Sequence, residues 1–192
     1  EATLLAGGTD ALAGGPQARD ARVVAAYDAV ADDYTRRMVA LAPLAATSIG
    51  IPGYDHLIGD LSPAGPAALA DLNRATLAAL DGASTDRGRL VPVIGEESST
   101  VSADRAADRT DAVTVAAMRD RLALDLELYE AGEHLADLNV IASAPQALRE
   151  VLDLMPTVTA DDWATIAARI GRIPEAVEGY LECLRAGAAS GP

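Results

Sequence analysis

Two adjacent apolar stripes within one long helical pattern constrain this chain more than any other feature. From Ser102 to about Leu138, Val115, Met118, Leu122, Leu126 and Tyr129 recur at helical spacing. Leu124, Leu128, Ala131, Leu135 and Leu138 form a second set beside them. A helix that is apolar over so wide an arc needs neighbours on more than one side. The pattern predicts an all-α protein, an irregular bundle of about six helices with this long helix at its centre. If Leu126 is core, truncating it to Ala is expected to cost about 2–5 kcal/mol.

Composition supports the same class. Half of the 192 residues are apolar, yet aromatics make up 3% and Phe is absent, so the apolar mass is Ala, Leu, Val and Ile. Ala is the strongest helix former and lets helices approach closely. The length suffices for one domain with its own core. The net charge of −14 repels nucleic acid and anionic lipid surfaces, so neither is an expected partner. The longest uncharged run, Met38 to Tyr54, is interrupted by Pro43, Gly50 and Pro52. It is also shorter than the ~20 apolar residues of a membrane span. No signal peptide is visible. The single cysteine, Cys183, suits a reducing compartment, which makes the cytoplasm the expected location. Cys183 lies beside Leu181 and Leu184 in a helical pattern and is expected to be a half-buried structural thiol.

The rest of the chain divides at its prolines and glycines. Residues 1–17 read as a loose leader, and residues 18–191 as the helical domain. Val23, Tyr27, Val30, Tyr34, Met38 and Leu41 predict a helix over 18–42. The next span, Ala42 to Pro63, holds three prolines and three glycines, which predicts a short helical turn and then an ordered loop. Ser62 and Pro63 open a helix with Leu69, Leu72, Thr76 and Leu80 on one face, and Asp81-Gly82 is its expected stop. A connector follows over 83–101, in which Leu90 to Ile94 could form a short extended segment. Beyond the long helix, Pro145 starts a short one through Leu148, Val151, Leu152 and Met155. Thr159 caps another, with Asp161 and Asp162 in its first turn and Trp163, Ile166 and Ile170 expected inward. After Gly171, Ile173-Pro174 starts the last helix, with Val177, Tyr180, Leu181 and Leu184 facing in and Gly187 closing it.

Motifs that carry chemistry are sparse. A helical zinc site needs two histidines four residues apart with a Glu between them. The two histidines here, His56 and His134, sit in no such pattern. His56, in the loop sequence GYDHL, is expected to be a surface or capping residue. Asp108 with Asp111, or Asp120 with Glu127, are expected to be solvated faces of an acidic helix, not acid–base pairs, and Glu96 and Glu97 an acidic loop. A ligand pocket lined by Tyr27, Tyr34, Met118 and Trp163 is conceivable, but core packing accounts for those residues equally well.

Three segments resemble a known bacterial family, the domain of unknown function 885. The span from Ala42 to Pro63 follows its pattern at Pro43, Ala46, Thr47, Gly50, Tyr54, Asp55 and Ser62. The start of the long helix, DRTDAVTVAAMRDRL, is similar to the family's repeated-Asp helix. The final segment matches at Arg169, Ile170, Ile173, Pro174, Leu184, Gly187 and Gly191. The resemblance covers roughly residues 18–191.

The resemblance implies a helical, zinc-metallopeptidase-like parent protein, with its His-Glu-x-x-Pro-Gly-His motif in a C-terminal half. No such motif occurs in this sequence, so no metal ligand or general base carries over and no catalytic residue is assigned. The expected role is a non-catalytic N-terminal helical region, with zinc only in the half that is absent. The alternative is a self-standing helical interaction domain. Tyr54, Asp55 and His56 in the motif loop are the candidate cleft or partner-contact residues. The expected partner is the missing catalytic half, or a second copy through exposed apolar helix faces.

Overall fold

In the computed structural model, residues 16–85 and 102–190 are described, with side chains over 27–82 and 112–190. Residues 1–15 of the leader, the 90–94 segment, Glu96, Glu97 and the Asp108 and Asp111 side chains lie outside the described residues, while residues 16 and 17 already belong to the first helix. Among the described residues the structure is all-α: α1 (Pro16–Leu41), α2 (Pro43–Ser48), α3 (Ala64–Thr85), α4 (Ser102–Glu130), a 3-10 turn (Glu133–Leu135), α5 (Ala144–Asp153), α6 (Ala160–Ile170) and α7 (Ile173–Ser190). No helix among them is long and apolar enough to cross a membrane.

The first layer is built from α1, α3 and α4. Tyr27 of α1, Leu80 of α3, and Val115 and Leu122 of α4 form its buried core, with Val30, Tyr34, Leu77 and Met118 packed around them. The central element is α3, not α4: it packs along both α1 and α4, which touch each other much less. The reason lies in the second α4 stripe. Leu124 and Leu128 are each 45% exposed, and no described helix covers them. Leu126 is only half-buried, so Leu122, at 2% exposure, is the real core residue of that helix.

Several helix ends differ from expectation for identifiable reasons. Gly132 adopts φ +81, a left-handed conformation that ends α4 well short of Leu138, and the chain tightens into the 3-10 turn. Gly82 does not stop α3, which runs on to Thr85. Gly187 does not close α7 either. It lies where the helix crosses the 3-10 turn, and a Cβ there would fall on the carbonyl oxygen of Leu135.

The second layer gathers α2, the 49–61 loop, α5, α6 and α7 around Ile58, Leu148 and Ala176. α5 and α6 begin with capping boxes at Ser143/Gln146 and Thr159/Asp162, each satisfying orphan N–H groups of the first turn. α7 buries Ala176, Tyr180 and Cys183, with Val177, Leu181 and Leu184 half-buried beside them. Small residues let it lie close to the 57–62 backbone. A Cβ on Gly179 would sit 2.8 Å from Ser62 N, and the Cys183 thiol donates to Leu61 O at 3.3 Å. The Tyr180 hydroxyl donates to Asp137 O.

Three inward assignments need correction. Trp163 is 57% exposed, and its indole N–H donates to Thr157 O at 3.1 Å, so a local carbonyl satisfies it at the surface. Ile170 is 47% exposed because its neighbour Arg169, at 1%, takes the inward position. On α1, Leu41 is 37% exposed and Val39, at 2%, is buried instead, since α2 folds back against α1 from Ala42.

Candidate functional site

The motif loop and the C-terminal motif meet at one buried arginine. Arg169 occupies the last turn of α6, where a cation is favoured by the helix dipole. Its side chain crosses to the opposite segment of the layer. Nε donates to Leu57 O at 2.9 Å, and one terminal nitrogen donates to Tyr54 O at 3.0 Å and to Thr47 Oγ1 at 2.8 Å. Thr47 Oγ1 in turn donates to Asp55 Oδ1 at 2.6 Å. The hydroxyl is therefore a relay: it accepts from the guanidinium and passes its own proton toward the carboxylate.

Each partner is positioned by a local feature of the sequence. Pro43 starts α2 so that Thr47 lies one turn on, facing the loop. Ala46, fully buried, leaves space for the loop to fold over the helix. At Gly59, φ is +100 and a Cβ would lie 2.8 Å from Leu41 O, so only glycine returns the loop this tightly to the end of α1. The result presents three oxygen acceptors to one guanidinium in a fixed fork geometry.

Electrostatically the arrangement is a buried cation compensated through a neutral hydroxyl. Burial depresses the Arg169 pKa and Asp55 opposes that effect, but a guanidinium remains charged throughout. Its other terminal nitrogen is buried without a hydrogen-bond partner.

The predicted site residues divide accordingly. Asp55 belongs to the network through its side chain and Tyr54 through its backbone carbonyl, whereas His56 is exposed and gives it no hydrogen bond. Arg169 is the member that sequence reasoning missed as functional. Its signal was present, an arginine at a family-pattern position on the face that also carries Ile166.

Outside the network, the stacked rings of Tyr129 and His134 lie 4.5 Å apart at the end of α4. Burial lowers the His134 pKa. Tyr27, Tyr34 and Met118 share the first core, while Trp163 lies at the surface of α6, so these four line no common pocket. Asp120 and Glu127 are solvent-exposed on α4. An open cleft of about 500 Å³ runs beside the loop, with Asp60, Arg172 and Glu175 at its edge. These groups are exposed, and none is a nucleophile aligned with a base. Among the described residues, no three His, Cys, Asp or Glu side chains converge to hold a metal ion.

No curated protein matches the chain. A family described as bacterial protein of unknown function, DUF885, matches residues 43–192, from the first residue of α2 onward, which leaves α1 outside the matched span. Thr47, Asp55 and Arg169, the three side chains joined in the buried network, all fall within that match, and the chain belongs to the domain of unknown function 885 family.

Proposed function

We propose that this chain is a non-catalytic helical region of a zinc-metallopeptidase-like protein, forming part of the wall or roof of a cleft that another segment completes. The observation that carries the reading is the fate of the family-pattern side chains. Thr47, Asp55 and Arg169 are turned into an interior hydrogen-bond network instead of being offered to a substrate. Their chemistry is consumed in holding α2 and the loop to α6. The apolar surface on the opposite layer supports a contact role: Leu124 and Leu128 stand exposed on α4, and Leu138, Val140 and Ile141 follow at 64–92% exposure.

The test is to titrate the 192-residue chain with zinc and assay it against peptide and amide substrates. Neither stoichiometric zinc uptake nor chelator-sensitive hydrolysis is expected. Tight one-to-one zinc, or turnover lost on chelation, overturns the proposal. The exposed apolar face predicts dimers or larger species, and light scattering showing a monomer at all concentrations counts against a contact role for it.

The same exposed residues also favour a self-standing helical interaction domain. The reading frame beyond Pro192 separates the two. Continuation into a His-Glu-x-x-Pro-Gly-His segment supports the first, and a stop codon supports the second.

A further inference from the structure

The first layer contains a groove that the Arg169 network does not use. Tyr34, Met38, Asn73, Asp125, Tyr129 and His134 line it, enclosing about 360 Å³. Pro66, Leu69 and His134 also line a second, equally apolar space of about 230 Å³ that reaches Ile58, Tyr180 and Cys183.

Two buried polar atoms in this wall have no hydrogen-bond partner. Asn73 is 6% exposed, and its Oδ1 is buried without a hydrogen-bond partner. A buried carbonyl without a donor has given up its hydration for nothing, and folded proteins retain few of them. His134 Nδ1 is likewise buried and unpartnered, and stacking on Tyr129 fixes its ring. In the neutral imidazole that burial favours, the tautomer protonated on Nε2 leaves Nδ1 as an acceptor.

Charge points the same way. Asp125, half-buried, pairs at 3.2 Å with Arg121, whose side chain is 72% exposed and so weakly held. Arg74 lies 5.7 Å from the Tyr129 ring centre but is engaged by Asp71 at 3.0 Å and Glu130 at 3.4 Å. Asp125 is thus the carboxylate that lines the groove, on a chain of net charge −14.

A ligand that meets these groups carries positive charge, several N–H donors and an apolar body. We propose that the groove binds a primary alkylammonium ion, its head seated among Asn73 Oδ1, His134 Nδ1 and Asp125 and its hydrocarbon chain passing Leu69 toward Ile58 and Cys183. An –NH₃⁺ group has three donors for these three acceptors. The apolar extension takes the chain out of water.

Titration of the 192-residue chain with n-hexylammonium, followed by calorimetry and amide NMR, tests the assignment. Saturable one-to-one binding is expected, tightening about fourfold for each methylene added until the apolar space is filled. n-Hexanol, without charge, and hexyltrimethylammonium, without N–H donors, should bind at least about tenfold more weakly. Asn73→Leu should weaken binding by about tenfold or more while leaving the melting temperature unchanged or raised, because it removes an orphan. Asp125→Asn, at a partly solvated position, should weaken binding with the fold intact. Absence of saturable binding, or equal binding of hexanol and hexylammonium, overturns the proposal. So does a clear drop in the melting temperature of Asn73→Leu, which would mean that an interior water already satisfies the carbonyl.

Discussion

Replacing Arg169 with Met keeps most of the side-chain volume and removes the charge and every donor. Three acceptors then lose the guanidinium: Leu57 O, Thr47 Oγ1 and Tyr54 O, the last of which keeps the Leu57 N–H. Hydrogen bonds to a charged group contribute about 1.5–3 kcal/mol each, but the buried guanidinium, at 1% exposure, also carries a desolvation penalty that Met relieves. Thr47 can still donate to Asp55, and water can reach part of the loop. The net expectation is a loss of about 3–5 kcal/mol, the range for removing one member of a buried charged set. For a chain of this size that corresponds to a fall of about 6–20 °C in melting temperature. Urea unfolding followed by circular dichroism gives the number directly. Asp55→Asn supplies the second arm of a double-mutant cycle, where a coupling of about 0.5–3 kcal/mol is expected through the Thr47 relay. A wild-type midpoint for Arg169→Met, or strict additivity with Asp55→Asn, would show that the network does not hold the two segments together.

Further expectations follow from other sites. Leu122→Ala should cost about 2–5 kcal/mol, and Leu126→Ala distinctly less, since Leu122 is 2% exposed and Leu126 only half-buried; equal losses in urea unfolding would contradict the packing. Gly187→Ala should destabilise by about 1–3 kcal/mol, because its Cβ would meet the Leu135 carbonyl; a small gain, as at an unobstructed helical glycine, would refute the crossing. The Asp162 carboxyl lies below its usual 3.8, held there by the backbone N–H of Thr159, then by the Thr159 hydroxyl and the Val158 N–H. Its stabilisation is therefore complete above that ordinary value and disappears as pH falls through the lowered one. An Asp162→Asn variant should show a flatter acid limb in pH-dependent melting. The His134 imidazole should titrate below 6.5 by NMR, because burial disfavours its charged form, so its share of stability is lost only as pH falls below 6.5. A midpoint at or above that value would place the ring in water.

The helices were legible in the sequence because their apolar spacing, caps and prolines agree. Ser62 and Thr159 mark helix starts as their residue types suggest, whereas the cap at Ser143, two residues before Pro145, was not read. Less legible was which apolar stripe a neighbour would cover. Leu122 and Leu124 look alike in a periodic pattern, yet one is core and the other exposed. Glycine was read as punctuation because its local conformational freedom is a sequence property. Its use at Gly179 and Gly187, to admit another backbone, depends on a tertiary crossing. Asp55 and Tyr54 were visible through their place in a family pattern. The partner that gives them a physical role is more than a hundred positions away, and no local rule connects them.

That separation sets an order of events during synthesis. Leu57 and Arg169 are 112 positions apart, and Thr47 and Arg169 are 122 apart. At about 5–20 residues per second, roughly 6–22 seconds elapse between translation of the loop and of the arginine that fastens it. Over that interval α2 and its loop have their turns but not their clamp, and the carbonyl of Leu57 stays with water. The first layer can assemble as α1, α3 and α4 emerge in turn, while the second cannot close until α6 has left the ribosome. A nascent chain stalled between α4 and α6 should therefore show protected amides in the first layer and freely exchanging ones in the 54–57 loop.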